Sequence, residues 1–139
     1  MPKHSVSVAA AVVNDAGQVL AVRRDNGHWE LPGGVLELHE TIQEGLVREV
    51  REEAGIVVEP ETLTGVYKNM RRGIVALVFR CRAAGGIPHA TDEVAEVVWL
   101  TAAQVRERMD EAYAVRLLDA LEPGPTAIRA HDGLTLLPA

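Results

Sequence analysis

The stretch from Gly34 to Ile56 constrains the fold more than any other part of the chain. It reads GVLELHETIQEGLVREVREEAGI. Thr41 followed three residues later by Glu44 is the pattern of a capping box, which begins a helix. Gly55 suits the left-handed residue that ends one. Apolar residues recur at helical spacing between them, at Ile42, Leu46, Val47, Val50 and Ala54. The sequence therefore predicts a helix over about residues 41–54 that buries one apolar stripe.

The same helix carries three carboxylates beside its apolar stripe. At about 100° per residue, Glu49 and Glu53 lie about 40° apart, and Glu52 lies about 60° to the other side of Glu49. Carboxylates this close repel each other, so a bound cation is the best explanation of the cluster. Oxygen ligands select hard cations such as Mg²⁺ or Mn²⁺. The alternative, an ordinary solvated face, does not account for Pro32-Gly33-Gly34 before the helix or for Glu40 at its start.

Written as a pattern, the stretch is G-x5-E-x7-R-E-U-x-E-E-x-G-U, where U is a bulky aliphatic residue, and every fixed position is filled. It resembles the signature of the Nudix hydrolases, the MutT-like enzymes that cleave nucleoside diphosphates linked to another moiety. The motif covers 23 of the 139 residues, and the order of the surrounding elements is also similar to the family. The resemblance implies an α/β fold: an α/β/α sandwich around a mixed sheet, with the motif as loop–helix–loop.

The resemblance also implies a role for each motif residue. Glu49 and Glu53 would be the main ligands of Mg²⁺, with Mn²⁺ as the alternative ion. Glu52 would be a third ligand or would hold a metal-bound water. Arg48 would orient these carboxylates, and we count Arg48, Glu52 and Glu53 as catalytic. A backbone carbonyl of Gly33 or Gly34 would be a further ligand. Glu40, grouped here with the substrate-binding residues, would support the loop or the metal-bound waters.

Three positions outside the motif complete the predicted site. In this family a glutamate in the loop before the last strand can act as the base, and Glu93 lies in such a loop, with Glu96 as the alternative. Arg23 and Arg24 end a predicted strand and could reach substrate phosphates; the alternative is a pair of solvated charges. Trp29, Tyr67 and Phe79 are the aromatic residues best placed to stack on a base, although core packing is the commoner role of such residues.

The rest of the chain predicts strands around this helix. Residues 5–13 and 19–23 read as a hairpin joined by a turn at Asn14–Gly17. Further strands are predicted at 56–58, 66–68, 74–82 and 96–100. A second helix begins at Thr101 and covers roughly 101–108, with a continuation after a break to Leu121. The whole of 1–139 is predicted to be a single domain, and 126–139 either a small hairpin or a partly disordered, loosely packed tail.

The charge and composition of the chain argue against some classes of binding partner. The net charge of −6 argues against binding a nucleic-acid polymer, which needs a basic surface. No apolar run approaches the ~18–20 residues that span a bilayer, so no membrane association is expected. A single cysteine, Cys81, cannot form an internal disulfide, which favours the cytoplasm. We expect a small nucleotide as the partner and a monomer or homodimer as the assembly.

Several functions remain open at this level. The leading hypothesis is a Mg²⁺-dependent pyrophosphohydrolase acting on an ordinary or oxidised nucleoside triphosphate. ADP-ribose, a nucleotide sugar or a dinucleoside polyphosphate are alternative substrates. The hypothesis from another class is a non-catalytic sensor of a nucleotide metabolite. Such sensors tend to lose the motif glutamates, whereas this chain keeps every one of them.

Overall fold

The structure, a computed structural model, describes residues 1–138. These residues form nine strands and three helices. In chain order the elements are β1 (Ser5–Val12), β2 (Val19–Arg23), β3 (Trp29–Glu30), β4 (Gly33–Val35), α1 (Ile42–Ala54), β5 (Val57–Asn69), β6 (Ile74–Gly85), β7 (Glu96–Leu100), α2 (Ala102–Arg108), α3 (Glu111–Leu121), β8 (Ala127–His131) and β9 (Leu136–Leu137). No helix among them combines the length and the apolar character that crossing a membrane requires.

Two sheets form the frame. The larger has the strand order β4-β1-β6-β5-β8-β9, and the smaller has the order β3-β2-β7. β1 pairs with β6 and β5 pairs with β8 in parallel, whereas the other neighbours pair antiparallel. The predicted α/β fold with a mixed sheet is confirmed.

Strand β1 lies at the centre of the packing because both of its faces are covered. Val8, Ala10 and Val12 belong to the core cluster that contains the apolar stripe of α1. Ala9 and Ala11 belong to the cluster that contains α2 and α3. A strand buried on both faces has a continuous apolar sequence, as the run VAAAVV does. The helices therefore lie on opposite faces of the sheet, as in the predicted sandwich.

The motif helix begins and ends where the sequence predicts. Thr41 accepts a hydrogen bond from the Glu44 backbone N–H, and the Glu44 side chain accepts one from the Thr41 N–H. Gly55 adopts the left-handed conformation with φ of 73°, and its N–H donates to the Arg51 carbonyl. Local hydrogen bonds thus fix both ends of α1. The packing of its buried face then determines how deeply the helix lies in the core.

Two predictions about the strands need correction, and a third offered two alternatives of which one is found. β1 and β2 do not form a hairpin, because they are joined only by a bridge at Val13 and Val19 and then enter different sheets. The segments 56–58 and 66–68 are parts of one strand, β5, whose bulges interrupt the apolar pattern. Of the two alternatives for the C-terminal segment, the structure shows the small hairpin rather than the loosely packed tail, because β8 pairs with β9 and also with β5. Ala139 lies outside the described residues.

Candidate active site

A cleft of about 300 Å³ opens beside the motif helix. Strand β1, the loop around β3 and β4, helix α1 and helix α3 all contribute to its wall. The lining residues are Ser7, Val8, Ala9, Arg24, Glu30, Leu31, Gly33, Gly34, Val35, Glu49, Glu53, Asn69, Ile74, Tyr113 and Arg116. This volume is at the lower end of the range for sites that bind small molecules.

Three carboxylates converge at the α1 side of the cleft. Glu49, Glu53 and Glu93 each offer an oxygen, and these oxygens lie within 4.8 Å of one another. Glu49 is 9% and Glu53 4% exposed. An all-oxygen set of this kind fits Mg²⁺ or Mn²⁺ and does not fit a soft metal. Glu93 thus joins Glu49 and Glu53, whereas Glu52 is exposed and lies outside this group, so its role as a third ligand or as the holder of a metal-bound water stays a prediction.

Glu53 is held in a fixed orientation by three donors. Arg24 donates to both of its oxygens, with Nη1 2.6 Å from Oε2 and Nη2 3.1 Å from Oε1. The Gly33 N–H donates to Oε1 at 2.9 Å. Arg24 also donates to Glu30, so its guanidinium is shared between two carboxylates. Burial raises the pKa of Glu53, and the hydrogen bonds from Arg24 and Gly33 oppose this shift. A bound cation would favour the ionised form of the Glu53 carboxylate.

Arg48 orients the rest of the acidic edge. Its Nη1 donates to Glu49 at 2.9 Å and to Glu52 at 3.2 Å. Its Nε and Nη2 donate to Glu40 at 2.8 and 2.6 Å. Glu40 also accepts from the Glu37 N–H. The hydrogen bond from Arg48 lowers the pKa of Glu40 to about 2. Glu40 thus lies outside the cleft lining, where it holds Arg48 and closes the loop before α1.

Glu93 reaches the cluster because its loop is tied to the end of α1. The His89 N–H donates to the Ala54 carbonyl at 3.0 Å, and the Thr91 hydroxyl donates to the Glu53 carbonyl at 3.1 Å. The Glu93 N–H in turn donates to the Thr91 hydroxyl at 3.4 Å. These contacts bring a residue 40 positions after Glu53 to the same point in space.

Of the other predicted residues, only Arg24 is part of the cleft lining. Arg23 pairs with Glu96, with Nε 3.0 Å from Oε2, and neither residue lines the cleft. Arg24 lines the cleft, but its guanidinium is committed to carboxylates. Trp29 and Phe79 pack against the two core clusters. The substrate-binding roles of Arg23, Arg24 and Glu40 stay predictions, as does the base role of Glu93.

Sequence reasoning missed one part of the cleft. Arg116 on α3 is buried and lines the cleft together with Tyr113 and Asn69. A signal was present, because Arg116 is four residues from both Ala112 and Ala120. These positions form one stripe of a helix, so Arg116 occupies the apolar face of α3.

Comparison with known proteins agrees with this geometry. Residues 3–121 match the model of the NUDIX domain family. A MutT-like protein of Streptomyces ambofaciens is 60% identical over 139 residues, which cover 99% of this chain and 90% of that protein. The 8-oxo-dGDP phosphatase of Homo sapiens is 37% identical, over 94% of this chain and 36% of that protein. The ADP-ribose pyrophosphatase of Methanocaldococcus jannaschii is 31% identical, over 67% of this chain and 60% of that protein.

Solved structures agree at the level of the fold. A NUDIX hydrolase from Nitrosomonas europaea superimposes with a TM-score of 0.81 at 23% identity, over 94% of this chain and 81% of that one. The motif, the carboxylates beside the cleft and these matches lead to one conclusion: the chain belongs to the NUDIX domain family of pyrophosphohydrolases.

Proposed function

We propose that the chain hydrolyses a nucleoside diphosphate linked to another moiety in a reaction that depends on Mg²⁺, with Mn²⁺ as a substitute ion. An ordinary or oxidised nucleoside triphosphate is the leading substrate. The observation that carries the proposal is the convergence of Glu49, Glu53 and Glu93 beside a cleft of suitable size. A divalent cation there would neutralise phosphate charge and lower the pKa of a bound water.

The chain's own residues would divide the work. Glu49 and Glu53 hold the cation, and Arg24 and the Gly33 N–H keep Glu53 in place for it. Glu93 is exposed and forms no ion pair within residues 1–138, so its carboxylate is free to accept a proton from the attacking water. Most of the catalysis would come from positioning and charge stabilisation at phosphorus.

The relatives support two substrate classes. The human relative is named for 8-oxo-dGDP and the archaeal relative for ADP-ribose. A nucleotide sugar and a dinucleoside polyphosphate are further alternatives within the same chemistry. A non-catalytic sensor is the alternative from another class, and the complete set of motif carboxylates speaks against it.

A substrate panel tests the proposal. Nucleoside triphosphates, 8-oxo-dGTP, 8-oxo-dGDP, ADP-ribose, a nucleotide sugar and a dinucleoside polyphosphate are incubated with Mg²⁺, with Mn²⁺ or with EDTA, and products are resolved by chromatography. The Glu53→Gln variant should lose at least a hundredfold in kcat, by analogy with other groups that stabilise a transition state. Glu107→Gln, on the exposed side of α2, is the matched control. Turnover that is absent in every class, or equal in EDTA, would favour the sensor.

The location and the oligomeric state of the protein stay predictions. A cytoplasmic location rests on the lone cysteine, Cys81. A monomeric or homodimeric state rests on the family resemblance. Sedimentation of the purified protein measures its oligomeric state directly.

A further inference from the structure

A second cavity adjoins the cleft at the end of β5. Its volume is about 250 Å³, and its lining comes mainly from the turn between β5 and β6 and the turn between β8 and β9. Asn69 and Tyr113 line both this second cavity and the cleft. A ligand that fills the cleft can therefore extend past these two residues into the second cavity.

Asn69 is held in an orientation that leaves its amide nitrogen free. Its Oδ1 accepts hydrogen bonds from the backbone N–H groups of Arg71 and Arg72, at 3.0 and 3.1 Å. These two donors need an acceptor, which excludes the flipped amide and directs Nδ2 away from the turn. Only 8% of Asn69 is exposed.

The free nitrogen of Asn69 opens on the second cavity. Within residues 1–138, Nδ2 has no hydrogen-bond partner, yet it keeps contact with solvent. Gly133 lines the second cavity, and a Cβ on Gly133 would lie 3.9 Å from Nδ2. A donor on a side chain that is otherwise buried is thus available to a ligand in this cavity.

The second cavity carries more positive than negative charge. Arg71 and Arg72 line it, and neither forms an ion pair in the described part of the chain. Asp132 is the one carboxylate among the described residues of the lining. Its Oδ1 accepts from the N–H groups of Leu134 and Thr135, and its Oδ2 accepts from the Thr135 hydroxyl. The groups left for a ligand are therefore hydrogen-bond donors, two of them cationic.

The strand order separates the second cavity from the carboxylate cluster. The Glu49 carboxylate lies against β4, because a Cβ on Gly34 would be 2.5 Å from its carboxyl carbon. Asn69 ends β5, and strands β1 and β6 lie between β4 and β5. Three steps between neighbouring strands span roughly 14 Å. A single diphosphate is too short to occupy both places.

We propose that the second cavity binds a phosphate group that the substrate carries apart from its scissile diphosphate. Arginine matches the geometry of phosphate oxygens, and the Asn69 amide adds a fixed donor. Within a class of nucleotides, the enzyme would therefore favour the member with a further phosphate on its ribose. The inference rests on the proposed function only in placing the scissile diphosphate at the carboxylates.

Two pairs of variants isolate the second cavity. Asn69→Asp keeps the oxygen that accepts from the turn and replaces the NH₂ donor by a second oxygen. Asn26→Asp is its matched control, because Asn26 also accepts from a backbone N–H and lines neither cavity. Arg71→Gln removes one cation, and Arg106→Gln does the same at an exposed position of α2. Arg71 is exposed, so Arg71→Gln serves if Asn69→Asp does not fold.

A binding experiment in EDTA separates this inference from the proposed activity. Adenosine 2′,5′-bisphosphate and adenosine 5′-monophosphate are titrated by calorimetry, and the side-chain NH₂ signals of Asn69 are followed by NMR with inorganic phosphate. Wild type should bind the bisphosphate roughly tenfold or more tightly, and phosphate should shift the NH₂ signals. Asn69→Asp and Arg71→Gln should lose the difference in affinity, and both controls should keep it. That result stands even if no nucleotide is hydrolysed, in which case the proposed function alone fails.

Hydrolysis with Mg²⁺ tests the role of the second cavity in catalysis. ADP-ribose is compared with its 2′-phosphate, and GDP with guanosine 3′,5′-bis(diphosphate), because each pair shares one 5′-linked diphosphate. Wild type should favour the further phosphorylated member by roughly tenfold or more in kcat/KM. Asn69→Asp and Arg71→Gln should each reduce this ratio toward one, whereas Asn26→Asp and Arg106→Gln should preserve it.

Other outcomes overturn the inference. Equal binding of the two adenosine nucleotides by wild type would exclude the subsite, as would a preference that survives in both Asn69→Asp and Arg71→Gln. An equal loss in Asn26→Asp and Arg106→Gln would reduce the effect to overall charge. A shift of the NH₂ signals that sodium chloride reproduces at the same ionic strength would reduce it to screening. Binding of inorganic phosphate without any preference between nucleotides would assign the second cavity to a free anion.

Discussion

Two adjacent glycines should lose different properties on substitution by alanine: Gly33 should lose stability, and Gly34 should lose metal affinity and activity. Neither Gly33 nor Gly34 has a positive φ, so alanine is limited at both positions by space alone. A Cβ on Gly33 would lie 2.7 Å from the Cα of Ala9 and closer still to the Val8 carbonyl oxygen. Because both obstacles are backbone atoms, β4 and β1 would have to separate. We expect Gly33→Ala to lower the free energy of unfolding by about 3 kcal/mol.

At Gly34 the obstacle is a side chain. The Cβ would lie 2.5 Å from the carboxyl carbon of Glu49, and ordinary contact begins at 3.4 Å. The carboxylate must therefore retreat by about 1 Å, which a flexible side chain can do at a cost of about 1 kcal/mol or less. Magnesium tolerates little distortion of its ligands. We expect a loss of 10- to 100-fold in metal affinity and of about 100-fold in kcat/KM.

Urea denaturation in EDTA measures the free energy of unfolding, and titration with Mn²⁺ followed by electron paramagnetic resonance measures metal binding. Gly33→Ala and Gly34→Ala serve as controls for each other. Equal loss of stability in the two variants would refute the steric reasoning. Unchanged Mn²⁺ affinity in Gly34→Ala would refute the assignment of Glu49 as a ligand.

Three further predictions concern the site and its support. Glu93→Gln should cost at least tenfold in kcat with an unchanged melting temperature, because Glu93 is exposed; an unchanged kcat would remove Glu93 as the base. Tyr67→Phe should cost about 1.5–3 kcal/mol in urea denaturation, because the hydroxyl donates to the carboxylate of Asp119 at 2.7 Å; no loss would contradict that bond. The hydrogen bond that His28 donates to the Glu30 carboxylate raises the pKa of His28. The interaction between His28 and Glu30 should stabilise the fold fully below the pKa that His28 has in the unfolded chain. This contribution should be lost as the pH rises through the pKa of His28 in the folded protein. His28→Gln should therefore destabilise more at pH 5.5 than at pH 8, and the reverse would contradict the pairing.

Sequence reasoning succeeded where the signal was local. The caps of α1 at Thr41 and Gly55 depend on residues within four positions, and each is found as predicted. It failed where pairing was distant. A turn between β1 and β2 looks the same in sequence whether the strands pair or diverge. The distant partners are β6 for β1 and β7 for β2, and both lie more than 50 residues further along the chain.

The same contrast between local and distant contacts applies to the residues of the site. The positions of Glu49 and Glu53 follow from helix geometry, so the motif alone predicted that they would lie together. The arrival of Glu93 depends on hydrogen bonds to the last turn of α1, which no spacing in the sequence reports. Arg116 was missed because an arginine in a helix is ordinarily solvated, although its place on the apolar stripe was readable.

The attachment of the loop that carries Glu93 has a consequence for how this activity could change. Hydrogen bonds from His89 and Thr91 to backbone carbonyls of α1 fix the loop, and such bonds do not depend on the side chains of α1. The loop can therefore gain, lose or shift its acidic residue while the proposed cation ligands, Glu49 and Glu53, stay in place. Metal affinity and turnover become separately adjustable properties, and a variant with an altered loop could bind its nucleotide fully yet release it unchanged.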